Sequence, residues 1–262
     1  MAWKLIDISK HQGSITVAQW DDIKSKVDGV ILRAGYGNTA RQKDSRFEEY
    51  YQVCKDRGIP VGAYWYSYAY TIADAEKEAQ ACLECLKGKS FEYPIYYDME
   101  DGSIAHVGRN GLTEQTIRFC TILEQAGYFV GVYANTNWFL NHLNVDVLKQ
   151  KYTLWLADYR SMPNTVLPRD MHQFSSTNAF KIIGFGIGFG GHLDCNYCYR
   201  DFPTVIKRAG LNGLQKSTAT EEKVDEKVTE EKLYKISITC SKGDKDRILD
   251  LCEQLELPVI VE

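Results

Sequence analysis

Short, nearly continuous apolar segments rich in β-branched and aromatic residues alternate with helical patterns along most of this chain. They read Leu5-Ile6-Asp7-Ile8, Gly29-Val30-Ile31-Leu32-Arg33, residues 61–66, Pro94-Ile95-Tyr96-Tyr97-Asp98, Phe129-Val130-Gly131-Val132-Tyr133 and residues 153–157. Strands that read this way are buried on both faces, which is the condition of a parallel sheet covered by helices. Helical patterns run from about Ser45 to Arg57, closed by Gly58 and Pro60, and from about Ala73 to Lys87, closed by Gly88. A third is expected to start at an N-cap Thr113, with Glu114 behind it, and to stop before Gly127. Strand and helix in strict alternation make an α/β fold. The helices fade after about Gln150, and residues 153–199 read as strands and loops. A closed barrel lacking helices on its second half fits this pattern, with an open doubly wound sheet as the competing architecture.

Composition narrows the functional classes. Formal net charge is −4, which does not suit general binding to a nucleic-acid backbone. No apolar run approaches the roughly 18–20 residues that span a bilayer, so no membrane insertion is expected. Residues 1–10 carry no basic region followed by an apolar one, so no signal peptide is expected either. The 8 cysteines are too few for a disulfide framework at this length and read as reduced thiols. Two Cys-x-x-Cys pairs, Cys82/Cys85 and Cys195/Cys198, lie too far apart for a zinc ribbon, whose pairs stand roughly 15–20 residues apart. They read as small buried hydrophobes, so neither metal nor cofactor is expected. The glycines Gly184, Gly186, Gly188, Gly190 and Gly191 lack the strand–turn–helix context of a dinucleotide fingerprint.

Three segments follow from these breaks: a main domain over residues 1–212, a charged linker over 213–232, and a small βαβ unit over 233–262. The linker repeats Thr220-Glu221-Glu222-Lys223 as Thr229-Glu230-Glu231-Lys232 and carries no aromatic residue from Ser217 to Lys232. The last unit begins with alternating Tyr234-Lys235-Ile236-Ser237-Ile238-Thr239 and is too short to bury a core alone. It reads as a wall-binding or oligomerisation module, and pairing with its own copy would give a homodimer through residues 233–262.

The chemistry concentrates at strand ends. Asp98 and Glu100 are two apart in Tyr97-Asp98-Met99-Glu100-Asp101, so they share a face. Two close carboxyls cannot both ionise cheaply, and one is kept protonated as a general acid. On these residues alone the pair reads equally well as capping acids of a solvated loop. Asp7, Asp158 and Asp194 occupy comparable strand ends, where an acid among apolar residues is expensive without a partner or a function. The aromatics Tyr64, Tyr66, Tyr133, Trp155 and Tyr159 recur beside them, and flat aromatic faces suit the C–H faces of sugars. Trp65, on the alternate face, reads as core.

In this order Asp7-Ile8-Ser9 with His11-Gln12-Gly13, the Gly62-Ala63-Tyr64-Trp65-Tyr66 strand, Asp98-x-Glu100, Trp155-x-Ala157-x-Tyr159, His172-Gln173-Phe174-Ser175-Ser176 and Asp194-x-Asn196 resemble the family 25 glycoside hydrolases, lysozymes of the Chalaropsis type. The resemblance covers about residues 3–208. It implies an irregular TIM-like barrel of about eight strands with few helices in its second half. It also implies hydrolysis of the β-1,4 bond between N-acetylmuramic acid and N-acetylglucosamine in bacterial peptidoglycan. Carried over by motif, Glu100 is the general acid, Asp98 the second carboxylate, and Asp7 and Asp194 complete the catalytic pocket. Tyr64, Tyr66, Arg33, Tyr133, Trp155, Asp158 and Gln173 are expected at the substrate. A wall hydrolase without a signal peptide points to a phage endolysin, made in the cytoplasm and acting on the wall after release. Two other readings stand beside it. A chitinase-like enzyme would carry further acids upstream on the Asp98 strand, and Pro94 to Tyr97 supply none. A sugar-binding module without turnover would lack Asp98 or Glu100.

Overall fold

The computed structural model describes residues 2–163, 165–185 and 192–216. The linker read over 213–232, apart from its first four residues, lies outside the described residues. So do the βαβ unit with its expected homodimer contact and the glycines from Gly186 to Gly191.

Eight strands close into one barrel in sequence order. They are β1 (Trp3–Ile8), β2 (Gly29–Tyr36), β3 (Val61–Tyr66), β4 (Ile95–Asp98), β5 (Val130–Asn135), β6 (Thr153–Ala157), β7 (Met171–Ser175) and β8 (Asp194–Cys198). Neighbours from β1 to β7 run parallel, whereas β8 is antiparallel to both β7 and β1. The open-sheet alternative is thereby settled against. Reversal of β8 has one consequence for chemistry: its first residue, Asp194, pairs with Asp7. The start of β8 therefore sits at the end of the barrel where β1 to β7 finish.

Four full helices cover the first half: α1 (Val17–Lys26), α2 (Phe47–Arg57), α3 (Ile72–Leu86) and α4 (Arg109–Gln125). Among the described residues after β5 come only a π-turn at Trp138–His142 and the short α5 (Val145–Leu148), and α6 (Phe202–Ala209) follows β8. Among the described residues no helix lies between β6 and β8. Nor is any of these helices long and apolar enough to cross a membrane.

Local chemistry sets the boundaries. Thr16 caps α1 by accepting from the Gln19 N–H, and the Gln19 side chain returns to the Thr16 N–H. Gly58 closes α2 at φ 64°, a left-handed conformation costly for any side chain. The expected start of the third helical pattern is corrected. Its helix begins four residues earlier, at Arg109, and Thr113 lies inside it, donating its hydroxyl to the Arg109 carbonyl at 2.7 Å. Asn110 and Gly111 disfavour helix intrinsically, and packing of the buried Leu112 overrides that preference.

Side-chain alternation builds two cores. Residues facing outward, among them Ile6, Leu32, Ala63, Trp65, Tyr97, Val132 and Leu156, pack beneath the helices. Tyr97 stacks flat on Phe119 of α4, with ring centres 3.8 Å apart. Inward residues Leu5, Ile31, Tyr96, Tyr133, Trp155, Met171 and Cys198 fill the barrel. The filling is tight: a Cβ on Gly131 would stand 2.5 Å from the Tyr96 ring. The cysteines of both Cys-x-x-Cys pairs are buried free thiols, and burial pushes Cys85, Cys195 and Cys198 each up to about 11.

Candidate active site

Two residues beyond the inward positions of four strands the barrel changes character. Leu5 is followed by Asp7, Ile31 by Arg33, Tyr96 by Asp98 and Met171 by Gln173, while Cys198 is preceded by Asn196 and Asp194. Period-two alternation keeps all of them on the inner face, and the strand directions bring them to one mouth. Irregularities in the pairing follow directly on Arg33 and on Gln173, where the ladder shifts register beside the site.

Within the carboxyl cluster Asp7 is held by two amides. Its Oδ2 accepts from Gln173 Nε2 and from Asn196 Nδ2, each at 2.9 Å. Gln173 in turn accepts the hydroxyls of Tyr133 at 3.0 Å and Tyr159 at 2.5 Å on Oε1. Asn196 Oδ1 accepts the indole N–H of Trp155 at 2.8 Å. Burial pushes Asp7 up to about 6, the amide donors from Asn196 and Gln173 opposing it.

Asp98 is buried, and its Oδ1 has no hydrogen-bond partner. Burial raises its pKa well above the usual carboxylate value; the charges of Glu100 and Asp7 raise it further, and Arg33 opposes them. Glu100, half-buried, is raised by burial and then by the Asp7 charge, partly offset by Tyr133. Asp194 is pushed up to about 8 by burial, by Asp7 and by Glu100. Burial is the largest cause for all four, and for Asp98, Glu100 and Asp194 the charges of neighbouring carboxylates add to it.

Tyr64 faces Asp7, Asp98 and Asp194, and its ring meets Trp155 edge-on at 6.2 Å. Tyr66 donates to Asp101 at 2.9 Å. Arg33 donates Nε to the buried Asp44 at 2.7 Å and keeps a buried Nη2 without a partner.

Two expected substrate residues take other places. Trp155 is 1 % exposed, so its ring forms the layer beneath the mouth and orients Asn196 rather than offering a face to a ligand. Asp158 has the parity of Leu154 and Leu156, on the outer face, and is neutralised by a two-pronged pair with Arg160 at 2.8 and 2.6 Å. It does not join the carboxyl cluster. Asn196 and Asp44 had no assigned site role in the sequence, whereas Tyr159 stood among the aromatics read as sugar-facing. Asn196 shares the inward parity of Asp194, and Tyr159 that of Trp155, so both were findable by counting in twos. Asp44 carries no such signal; it lies in the charged run Arg41-Gln42-Lys43-Asp44-Ser45-Arg46, which reads as solvated loop.

Comparison with known proteins adds three findings. A family model described as glycosyl hydrolases family 25 matches residues 6–183. The autolytic lysozyme of Clostridium acetobutylicum is 31% identical over 196 residues, covering 73% of this chain; the chain spans 55% of that protein's length. Among solved structures, the CTP1L endolysin superposes with a TM-score of 0.62 at 26% identity, over 78% of this chain and 69% of that one. The autolysin LytC of Streptococcus pneumoniae gives 0.65 at 28%, over 76% and 47%. A family 25 hydrolase from Bacillus anthracis shares the fold, with a TM-score of 0.62 at 18% identity over 77% and 92%.

Proposed function

The chain belongs to glycosyl hydrolase family 25, and from that premise we propose that it is a lysozyme, an N-acetylmuramidase acting on bacterial peptidoglycan. The observation that carries this reading is the enclosure of Asp7, Asp98, Glu100 and Asp194 at one barrel mouth, with every pKa raised. A glycosidase needs a proton in hand at neutral pH and an anion beside it, and such an enclosure supplies both.

Glu100 is the most open member of the Asp98–Glu100 pair and serves as the acid. It gives its proton to the glycosidic oxygen as the bond from that oxygen to C1 breaks. The carbonyl oxygen of the substrate's own 2-acetamido group closes onto C1 from the opposite face. Asp98 receives the acetamide N–H and balances the positive ring that results. Water then gives a proton to Glu100, and its oxygen attacks C1, restoring the acetamide with retained configuration. Substrate-assisted retention of this kind is a known exception to the two-carboxylate rule.

The bound sugar also decides where the proton sits. In the free site, Asp98 and Glu100 compete for it. An N–H donated to the Asp98 carboxylate stabilises the anion there and leaves the proton on Glu100. Asp7, tied by two amides and raised to about 6, is mostly ionised at neutral pH, and its charge favours the same cationic intermediate. Relatives named as endolysins and autolysins support action on the cell wall, and we assign this chain the endolysin role.

The test is the chemical identity of the new ends. Purified walls are digested, reduced with borohydride and resolved by mass spectrometry. Reduced N-acetylmuramic acid at the new ends is the expected product. Reduced N-acetylglucosamine, or no release by folded protein, overturns the assignment.

A further inference from the structure

The catalytic mouth uses β3 only as far as Tyr66, yet the chain beyond continues with Tyr68 and Tyr70, 41% and 48% exposed. Tyr68 packs against Tyr66 with ring centres 5.1 Å apart, and against Tyr36 of β2 edge-on at 6.2 Å. Tyr70 pairs with the exposed His106, ring to ring at 5.5 Å. Both pairs connect to the site through Tyr66 and Asp101. Tyr66 bonds to Asp101, the neighbour of Glu100, and Asp101 caps the short helix Gly102–Val107 that carries His106.

The segment is also held with unusual care. Ser67 donates its N–H to the Asp98 carbonyl at 3.0 Å. Its hydroxyl donates to Tyr97 at 2.8 Å, and Tyr97 donates to Glu78 at 2.7 Å. The other oxygen of Glu78 accepts the Tyr68 N–H at 2.8 Å. Glu78 is 1% exposed, and burial pushes its carboxyl up to about 7. A carboxyl buried at such cost to fix one surface backbone has a purpose in the segment's shape. Large exposed aromatics on a rigid surface mark a binding face.

We propose that Tyr68, Tyr70 and His106 form an accessory glycan subsite, a rail that grips sugars of the same strand beyond the one being cut. The proposal rests on the muramidase reading for its ligand. Continuity with the mouth argues for sugar over protein: the rail begins at a ring bonded to the residue after Glu100. Tyr68 extends the aromatic contact from Tyr66, and Tyr70 stands against His106 of the helix that Asp101 caps. Ring faces with a hydroxyl at the edge suit a saccharide's apolar face and its polar rim.

Calorimetry on full-length protein carrying Glu100→Gln separates binding from cleavage. The probes are an uncrosslinked peptidoglycan tetrasaccharide and a strand of several further disaccharides. With Tyr68→Ala or Tyr70→Ala added, Kd for the long strand is expected to rise roughly three- to tenfold. Kd for the tetrasaccharide should stay within about twofold. Tyr70→Trp should restore tight binding of the long strand. An unchanged long-strand Kd overturns the rail, as does an equal loss on both probes, and as does a lost self-association with Kd unchanged. Failure of the unsubstituted protein to cleave either strand, with the length-dependent loss intact, would sink the muramidase reading and leave the rail standing.

Discussion

The floor and the mouth of this barrel are made by the same strands, one alternation apart, and they obey opposite rules. On the floor Leu5, Ile31, Tyr96, Trp155 and Met171 pack together without charge. At the mouth Asp7, Arg33, Asp98 and Gln173 stand two residues on along β1, β2, β4 and β7, and Asp194 stands four residues back from Cys198 on β8. The floor gains stability from burial, at roughly 1.5–3 kcal/mol for each large side chain. Burial at the mouth instead raises four carboxyl pKa values, which is free energy spent against folding. That burial, with the neighbouring charges, is what raises the carboxyl a general acid needs, so the stable layer carries the reactive one.

The contrast is sharpest in substitutions that separate activity from stability. Glu100→Gln keeps the shape and removes the proton, so wall clearing should fall by roughly 10²- to 10⁴-fold. The thermal midpoint should stay level or rise. Near-normal clearing by folded Glu100→Gln protein would remove Glu100 from the mechanism. Leu5→Ala on the floor should do the reverse, costing about 2–5 kcal/mol in urea unfolding. The activity of its folded fraction should be close to normal. Asp98→Asn should cost about 10²-fold in kcat, because an amide cannot balance the cationic ring. It should not destabilise, since the Asp98 Oδ1 has no partner to lose. Lower stability in Asp98→Asn would mean that the mouth contributes to folding after all.

The smallest effect lies in the pH dependence of stability. Asp7 is raised from 3.8 to about 6, Asp194 from 3.8 to about 8 and Glu78 from 4.5 to about 7. In each case the folded protein binds the proton more tightly than the unfolded chain does. Their contribution is therefore fully present below the unfolded values near 4 and is lost as pH rises through 6 to 8. Urea unfolding at pH 5 and pH 8 should show stability falling by at least about 1.4 kcal/mol, the worth of one pKa unit. Asp194→Asn should flatten that slope. A stability that climbs over the same range would contradict the raised values.

Much of the mouth was legible in the strands. Asp7, Asp98 and Glu100 were visible because acids interrupt apolar runs, and Trp65 was separable from Tyr64 and Tyr66 by parity alone. The same parity, applied further, excludes Asp158 and admits Tyr159 and Asn196. The start of α4 was hidden, because Asn110 and Gly111, which read as loop, are drawn into helix by the packing of Leu112. Glu78 was hidden too, since a glutamate inside a helix looks solvated until its neighbours are known.

Sequence by itself determined which face each strand residue takes, because alternation is a property of the extended backbone and needs no partner. It also determined that the helices thin out after β5, because nothing later in the chain repeats at helical spacing except near the end. Only the tertiary structure decided depth. Trp155 and Gln173 both face inward, yet one lies in the floor and the other in the mouth, because strand register and the reversal of β8 set the height at which each inward residue meets its neighbours. The protonation of the four carboxyls was decided at the same level. A pKa depends on which charges share an enclosure, and strands far apart in sequence bring them there.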